Sequence, residues 1–160
     1  MTRTLKVAAL KDVDSIIVLI EDRIRWMDDC GLKQWNDTAY LEAYPRSYFE
    51  ENIGSFFVLQ EGEQIIAAVA AYREDERWPQ DGQNAFYLHH LVSGLESLGA
   101  GGELLALVEQ YAAQQGIHVI RLDSDVNNEK LERFYERRGY MPKGTCVDGP
   151  YIGTRREKKL

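Results

Sequence analysis

The chain has 160 residues, of which 44% are hydrophobic and 28% charged, and its formal net charge is -7 at pH 7. This composition predicts a single globular domain over residues 1–160. The acidic balance argues against a general nucleic-acid binder, which needs a basic face, and favours a cationic substrate. The sequence shows neither an apolar stretch of membrane-spanning length nor the apolar core of a signal peptide, so a cytoplasmic protein without a membrane partner is expected.

Hydrophobic periodicity and turn residues predict an α/β protein. The predicted elements, in chain order, are a strand over 5–9, a helix ending at Gly31, a helix around Tyr48, a hairpin over 56–72, a strand over 85–92, a helix over 102–115, a strand over 119–126, a helix over 130–138 and a final strand or hairpin over 145–154. The strands that flank the helix over 102–115 are expected to be parallel, with a right-handed crossover. The basic run 155–159 is interpreted as a solvated terminus.

A glycine-rich turn precedes the helix over 102–115. Its residues are Glu96, Ser97, Leu98, Gly99, Ala100, Gly101 and Gly102. A helix N-terminus offers unpaired N–H groups, and glycines let an anion approach the backbone closely. The turn therefore predicts a pyrophosphate site, with a merely tight turn as the alternative. It lacks the Gly-Lys-Ser/Thr of a P-loop and does not match the dinucleotide-binding pattern.

A second motif follows the strand over 119–126. Its residues are Asn128, Phe134, Tyr135, Gly139 and Tyr140. Together with the glycine turn it resembles the GCN5-related N-acetyltransferase (GNAT) family, whose acetyl-CoA loop reads Arg/Gln-x-x-Gly-x-Gly/Ala. The family's later motif reads Asn-x-x-Ala-x-x-Phe/Leu-Tyr and ends with Gly-Phe. The glycines, the asparagine and the tyrosine match, whereas Glu96 replaces a polar or cationic residue and Leu131 replaces the alanine.

The resemblance implies a fold and a co-substrate. The fold is a mixed, mostly antiparallel sheet with a central splayed pair of parallel strands and helices on both faces. The separated strands would leave a slot in which the pantetheine arm of acetyl-CoA adds like a short strand, and no metal is expected. The residues implied to bind acetyl-CoA, besides those of the glycine turn, are Leu91, Val92, Asn128 and Phe134.

Acetyl transfer to an amine needs a neutral nucleophile, a donor for the oxyanion and a proton for the departing thiolate. We assign the proton to Tyr135, because the usual phenol pKa of about 10 is close to that of a thiol, with a tyrosine that only packs under the sheet as the alternative. The resemblance places the oxyanion donor at a backbone N–H near Leu91 or Val92.

The base that deprotonates the amine is predicted less directly. His89 and His90 are adjacent on one predicted strand and should point to opposite faces, so one of them should face the substrate. We prefer His90, for which a purely structural role is the alternative. Asp123 or Asp125, acting through water, are further candidates.

The segment between the first helix and the hairpin is rich in aromatic and acidic residues, and the resemblance places the acceptor pocket there. Trp26, Trp35 and Tyr40 are predicted to hold a cationic amine, with helix packing as the alternative. The sequence thus predicts an acetyl-CoA-dependent N-acetyltransferase acting on a small-molecule or peptide amine, with a homodimer as a possible assembly. A catalytically weak acyl-CoA sensor and a peptide N-terminal acetyltransferase are the alternatives.

Overall fold

The computed structural model describes residues 2–160, in which seven strands and five helices are arranged along the chain. The strands are β1 (Arg3–Val7), β2 (Phe56–Glu61), β3 (Gln64–Tyr72), β4 (Ala85–Ser93), β5 (Val119–Asp125), β6 (Met141–Asp148) and β7 (Tyr151–Lys159). The helices are α1 (Val13–Cys30), α2 (Tyr40–Ala43), α3 (Arg46–Asn52), α4 (Ala100–Gln114) and α5 (Glu129–Glu136). None of the helices within residues 2–160 is long and apolar enough to cross a bilayer.

The strands form one mixed sheet in the order β1-β2-β3-β4-β5-β7-β6. The β4–β5 pair is parallel, whereas the β1–β2, β2–β3, β5–β7 and β6–β7 pairs are antiparallel. The parallel ladder joins Ala85 to Val119, Phe86 to Ile120 and Tyr87 to Arg121. Both strands continue beyond this last pair, which confirms the predicted splayed parallel pair.

Contacts between Cα atoms divide the chain into two compact units. The first contains the described residues up to Ala70 together with His90–Val108. Its core combines the apolar face of α1 with the nearly continuous apolar runs of β2 and β3, as expected for strands covered on both faces. Helix α1 ends where predicted, because Gly31 adopts the left-handed conformation (φ 71°) that closes a helix.

The second unit contains Ala71–His89 and Glu109–Leu160. Its buried Arg121 donates hydrogen bonds to Glu157 Oε2 at 2.9 Å, to Asp81 Oδ2 at 2.6 Å and to the Tyr87 hydroxyl at 3.0 Å. The hydrogen bond from Arg121 lowers the pKa of Asp81 to about 2. The guanidinium thus joins β4, β5 and β7 by paired charges, which is how a buried arginine is tolerated.

The interpretation of residues 155–159 as a solvated terminus is wrong, because β7 extends through them to Lys159. Arg156 is buried, and it donates hydrogen bonds to the Tyr140 carbonyl at 2.9 Å and to Glu132 Oε2 at 3.1 Å. The run is a strand in which the consecutive residues Arg156, Glu157 and Lys158 all form ion pairs, so both faces carry charge. This leaves no alternation of apolar and polar residues from which the sequence could predict the strand.

Candidate active site

His90 lies in an aromatic enclosure within the first unit. The rings whose centroids lie within 6.2 Å of its imidazole are those of Tyr40, Tyr44, Tyr48, Phe49 and Phe56. The Tyr48 hydroxyl is 2.8 Å from Nε2, and the Tyr40 hydroxyl is hydrogen-bonded to Nδ1. His90 was the preferred base in the sequence analysis. Both of its ring nitrogens are hydrogen-bonded to tyrosine hydroxyls, and its side chain is buried.

The predicted acceptor-binding aromatics fall into two groups. Trp35 stacks on Tyr40 with a centroid separation of 4.5 Å, so both belong to the surroundings of His90. Trp26, on α1, lies instead under the guanidinium of Arg23, 5.0 Å from its ring centroid. The structure thus brings Trp35 and Tyr40 together and gives Trp26 a cationic partner of its own chain.

The backbone of β4 is irregular at His90. Its φ of 59° lies in the left-handed region, which histidine adopts more often than most non-glycine residues. A left-handed residue inside a strand interrupts the ladder and redirects the peptide groups next to it. Leu91 and Val92, the predicted oxyanion donors, follow directly after this interruption.

The glycine turn leads into α4 as the sequence predicts. Gly99 has a φ of 74°, a conformation that favours glycine. The N–H groups of Ala100 and Glu103 donate to carbonyls of the turn at 3.1 and 3.0 Å. Among the described residues, the N–H groups of Gly101 and Gly102 have no such acceptor, so they can bind an anion.

Three charged side chains lie at this turn. Glu96 is exposed, so its carboxylate can point into solvent, away from an anion at the N-terminus of α4. Arg3 donates to the Leu98 carbonyl at 3.2 Å, and Arg23 donates to the Ser93 carbonyl at 2.8 Å. Burial lowers the pKa of Arg23. Neither arginine could be placed here from sequence, because both belong to elements at the other end of the chain.

Tyr135, the predicted proton donor, lies in the second unit on α5 and is buried. Its ring packs edge-on against Phe134 and Tyr140, with centroids 5.2 and 5.8 Å apart. Among residues 2–160 its hydroxyl makes no hydrogen bond. Burial raises the pKa of Tyr135, and the nearby charge of Asp123 raises it further. The phenol therefore stays protonated at neutral pH, although its proton is harder to release than that of a free phenol.

Asn128 and Phe134, both predicted to bind acetyl-CoA, shape the two ends of α5. The side-chain oxygen of Asn128 accepts the Leu131 N–H at 3.1 Å, which makes Asn128 the N-cap of the helix. Phe134 is covered by the guanidinium of Arg138, 3.8 Å from its ring centroid. Asn128 thus fixes where α5 begins, and so where Tyr135 points.

His89, Asp75 and Asp123 form a polar cluster in the second unit, and the sequence predicted only part of it. His89 Nε2 lies 2.7 Å from Asp75 Oδ2. Asp123 Oδ1 accepts from the Tyr151 hydroxyl at 2.6 Å and from Arg77 at 3.2 Å. Asp123 Oδ2 is buried without a hydrogen-bond partner among the described residues, which ordinarily costs about 1–3 kcal/mol. Such an oxygen calls for a donor that the chain itself does not provide.

Comparisons with known proteins bear on the family and the fold of the chain. The model of the acetyltransferase (GNAT) family matches residues 20–140. The chain is 31% identical over 156 residues to Uncharacterized N-acetyltransferase YesJ of Bacillus subtilis (strain 168), covering 91% of this chain and 85% of that protein. It is 21% identical over 147 residues to Aminoalkylphosphonate N-acetyltransferase of Salmonella typhimurium, covering 85% and 83%. The crystal structure of the paia N-acetyltransferase from Thermoplasma acidophilum in complex with coenzyme A covers 100% of both chains with a TM-score of 0.79 and 17% identity.

Proposed function

Because the chain belongs to the acetyltransferase (GNAT) family and is therefore an acyltransferase, we propose that it transfers the acetyl group of acetyl-CoA to a primary amine of a small molecule or peptide. The amine would attack the thioester directly in a ternary complex. The observation that carries this proposal is the end of the parallel ladder at Tyr87 and Arg121. Beyond that pair, Leu88–His89 and Leu122–Asp123 leave backbone groups that an extended pantetheine arm could pair with.

The N-terminus of α4 would bind the pyrophosphate of the co-substrate. The N–H groups of Gly101 and Gly102 supply donors, and the helix dipole favours the negative charge. Arg23 supports this assignment, since it brings positive charge next to the glycine turn, whereas the charge of Arg3 is balanced by Glu61 and Glu103. The side-chain amide of Asn128 and the ring of Phe134 would contact the rest of coenzyme A.

The chemical step needs donors for the oxyanion and for the thiolate. A backbone N–H at Leu91 or Val92 would stabilise the oxyanion, because the irregular backbone at His90 turns peptide groups out of the ladder. Tyr135 would protonate the departing thiolate. Its raised pKa keeps the phenol protonated at neutral pH, and it also makes the transfer of that proton to a thiolate less favourable than from a free phenol.

The acceptor is proposed to be a small cationic amine. The relative from Salmonella typhimurium is named for aminoalkylphosphonates, so its name supports an amine nucleophile but not a net cation, because a phosphonate is anionic. The preference for a cationic amine rests on the net charge of -7 of this chain. Trp35 and Tyr40 would contribute aromatic contacts to it.

The test is a screen for acetyl-CoA turnover with polyamines, amino acids, aminoalkylphosphonates, aminoglycosides and peptides. Wild type is compared with Tyr135→Phe and with Tyr111→Phe, a half-buried tyrosine elsewhere in the second unit. We expect Tyr135→Phe to lower kcat about 100-fold with the best acceptor, because it removes the proton donor and little volume. Tyr111→Phe should keep wild-type kcat.

Equilibrium binding of coenzyme A shows whether a variant has lost co-substrate binding or only the chemical step. Both variants should bind it like wild type, since the hydroxyl acts only on the departing sulfur. Tight binding of acetyl-CoA without turnover of any acceptor would replace the proposal by the sensor alternative. An unchanged kcat of Tyr135→Phe at every pH would remove Tyr135 from the mechanism.

A further inference from the structure

The polar cluster lies where the two parallel strands separate. Tyr87 and Arg121 are the last residue pair of the β4–β5 ladder. Since side chains two positions apart share a face of a strand, His89 and Asp123 are the next side chains on the face of that pair. Asp75, from the loop before β4, completes the group, and one nitrogen or oxygen atom from each of the three side chains lies within 4.8 Å of the other two.

His89 is held in an orientation that suits a base. Its Nε2 is 2.7 Å from Asp75 Oδ2, while 21% of its side chain stays exposed. Burial opposes ionisation of Asp75, but its hydrogen bond and charge interaction with His89, with help from Arg77, outweigh this and lower the pKa of the carboxyl. An ionised carboxylate can only accept, so Nε2 carries the proton of the neutral imidazole and Nδ1 carries the basic lone pair.

Asp123 supplies an acceptor that nothing in the described chain fills. Its side chain is only 5% exposed, and Oδ1 is occupied by Arg77 and the Tyr151 hydroxyl. Oδ2 is buried and has no hydrogen-bond partner among residues 2–160. A buried carboxylate oxygen beside a histidine is well suited to bind an N–H donor with a positive charge.

The charge around this oxygen favours a cation that itself carries protons. Three carboxylates, those of Asp75, Asp123 and Asp148, lie around Arg77, which is 3.2 Å from Asp123 and 2.7 Å from Asp148. Arg155, bonded to the Arg77 carbonyl, adds a second positive charge. The cluster therefore has more negative than positive charge. Arg77 already lies against Asp123, where it would repel a divalent metal ion more strongly than it repels a singly charged ammonium.

We propose that Asp123 Oδ2 binds the ammonium group of the acceptor and that His89, positioned by Asp75, is the base that deprotonates it. This inference rests on the proposed function and replaces His90, whose two ring nitrogens are engaged by tyrosine hydroxyls. His89 Nδ1 takes one proton from R–NH3+ and later releases it to solvent. The resulting R–NH2 forms the C–N bond to the acetyl carbon and the C–S bond breaks. The thiolate receives the proton of the Tyr135 hydroxyl. After the C–N bond has formed, the nitrogen carries one proton more than the amide product, and this proton passes to the Tyr135 oxygen.

The titratable or charged groups around His89 come from several elements. Tyr72 on β3 lies with its ring centroid 5.8 Å from that of His89, Asp75 is bonded to it, and Asp123 on β5 completes the cluster. Further groups act on Asp123 or on Arg77: Tyr135 on α5, Cys146 and Asp148 on β6, and Tyr151 and Arg155 on β7. The charge of Asp123 acts on Tyr135 and on Tyr151, in both cases in addition to burial, and raises the pKa of each hydroxyl. The proposed acid and the proposed ammonium site thus share one electrostatic environment.

The kinetic test compares His89→Gln with His118→Gln, the exposed histidine at the start of β5. With the amine identified by the screen, kcat/KM of wild type should rise with pH, as a reaction that needs a deprotonated base requires. In His89→Gln it should fall about 100-fold at pH 7, and its rise should move to the higher pH at which the amine itself is neutral. His118→Gln should match wild type. An unchanged pH profile of His89→Gln would overturn the base assignment.

A separate measurement tests whether Asp75 positions the imidazole of His89. Asp75→Asn keeps the shape of the side chain but reverses the tautomer preference of His89, so kcat should fall about tenfold while the KM of the amine changes little. Asp75→Glu should restore part of the loss. Equal losses in both variants, accompanied by a lower unfolding temperature, would show a merely structural role and would contradict the proposal for Asp75.

The ammonium site is tested without turnover, using n-butylammonium chloride as the probe. Its addition should shift the NMR signals of the His89 imidazole in wild type but not in Asp123→Asn, and tetramethylammonium should not reproduce the shift, because it has no N–H to donate. Absence of the shift in wild type overturns the site even if an acceptor is acetylated. A shift in wild type alongside a screen without turnover keeps the site and rejects the acetyltransfer.

A metal ion is the remaining occupant to test. Dialysis against EDTA and addition of Zn2+ should leave the n-butylammonium shift and kcat/KM unchanged. Loss of activity with EDTA that Zn2+ restores would overturn the proposal, because the cluster would then hold a metal in place of the ammonium.

Discussion

Two adjacent histidines on β4 have opposite surroundings. His90, in the first unit, is buried among aromatic rings, and phenol hydroxyls engage both of its ring nitrogens. His89, in the second unit, is partly exposed and bonded to the carboxylate of Asp75. The first arrangement makes an imidazole part of a packed core, whereas the second holds an imidazole against a carboxylate at a partly exposed position. We therefore expect the same residue type to contribute mainly to stability at position 90 and, as proposed above, to chemistry at position 89.

The largest expected effect that separates the two histidines is on stability. His90→Ala should lower the free energy of unfolding by about 3 kcal/mol, because it leaves a cavity among five aromatic rings and removes the partner of two hydroxyls. His89→Ala should cost less than about 1 kcal/mol, since the side chain is partly exposed. Urea unfolding followed by circular dichroism measures both.

His118→Ala serves as the control for this pair, because the side chain is exposed and should leave stability unchanged within about 0.5 kcal/mol. If His89→Ala and His90→Ala lost the same free energy, the difference drawn between the two histidines would be wrong.

A smaller effect tests whether the hydroxyls or only the rings stabilise His90. Tyr48→Phe removes the hydroxyl that lies 2.8 Å from Nε2 and should lower the free energy of unfolding by about 1–2 kcal/mol. Tyr44→Phe is the matched control: its ring centroid is 4.6 Å from that of His90, but its hydroxyl is not hydrogen-bonded to the imidazole. Thermal and urea unfolding of the two variants should differ, and equal losses would show that ring packing alone holds His90.

Most of the fold could be predicted from the sequence because the signals are local. Apolar periodicity and the glycines at helix ends define the strand-helix-strand crossover from β4 through α4 to β5, and the spacing from Asn128 to Tyr135 defines α5. The last strand was missed from Arg155 onward, because charged residues on both of its faces hide the alternation. Its arginines and Glu157 form ion pairs that only the paired strands bring together.

The candidate site was less predictable, since its key pairs are distant in sequence. Strand alternation indicates that His89 and His90 face different surroundings, but it does not say which one meets a carboxylate. Asp75 lies 14 positions before His89, on a loop whose path follows no periodic pattern. Tyr151 reaches Asp123 from a hairpin 28 positions later. The sequence therefore identified the types of catalytic group, and the structure is needed to choose between the two histidines.

The smallest expected effect concerns pH. The pKa of Asp75 is lowered because its interactions with His89 and Arg77 outweigh its burial. A carboxyl with a lowered folded-state pKa stabilises the fold above its unfolded pKa of about 4, and this contribution is lost as the pH falls through the folded-state value. The difference in unfolding free energy between wild type and Asp75→Asn should therefore shrink as the pH falls below about 4. It should stay under about 1 kcal/mol, because the His89 side chain is partly exposed and solvent screens the pair. Urea unfolding at four pH values measures it, with the exposed Asp29→Asn as the control. A difference that stays constant over this fall in pH would mean that the carboxylate charge does not stabilise the His89 pair, and that Asp75 contacts His89 without orienting it electrostatically.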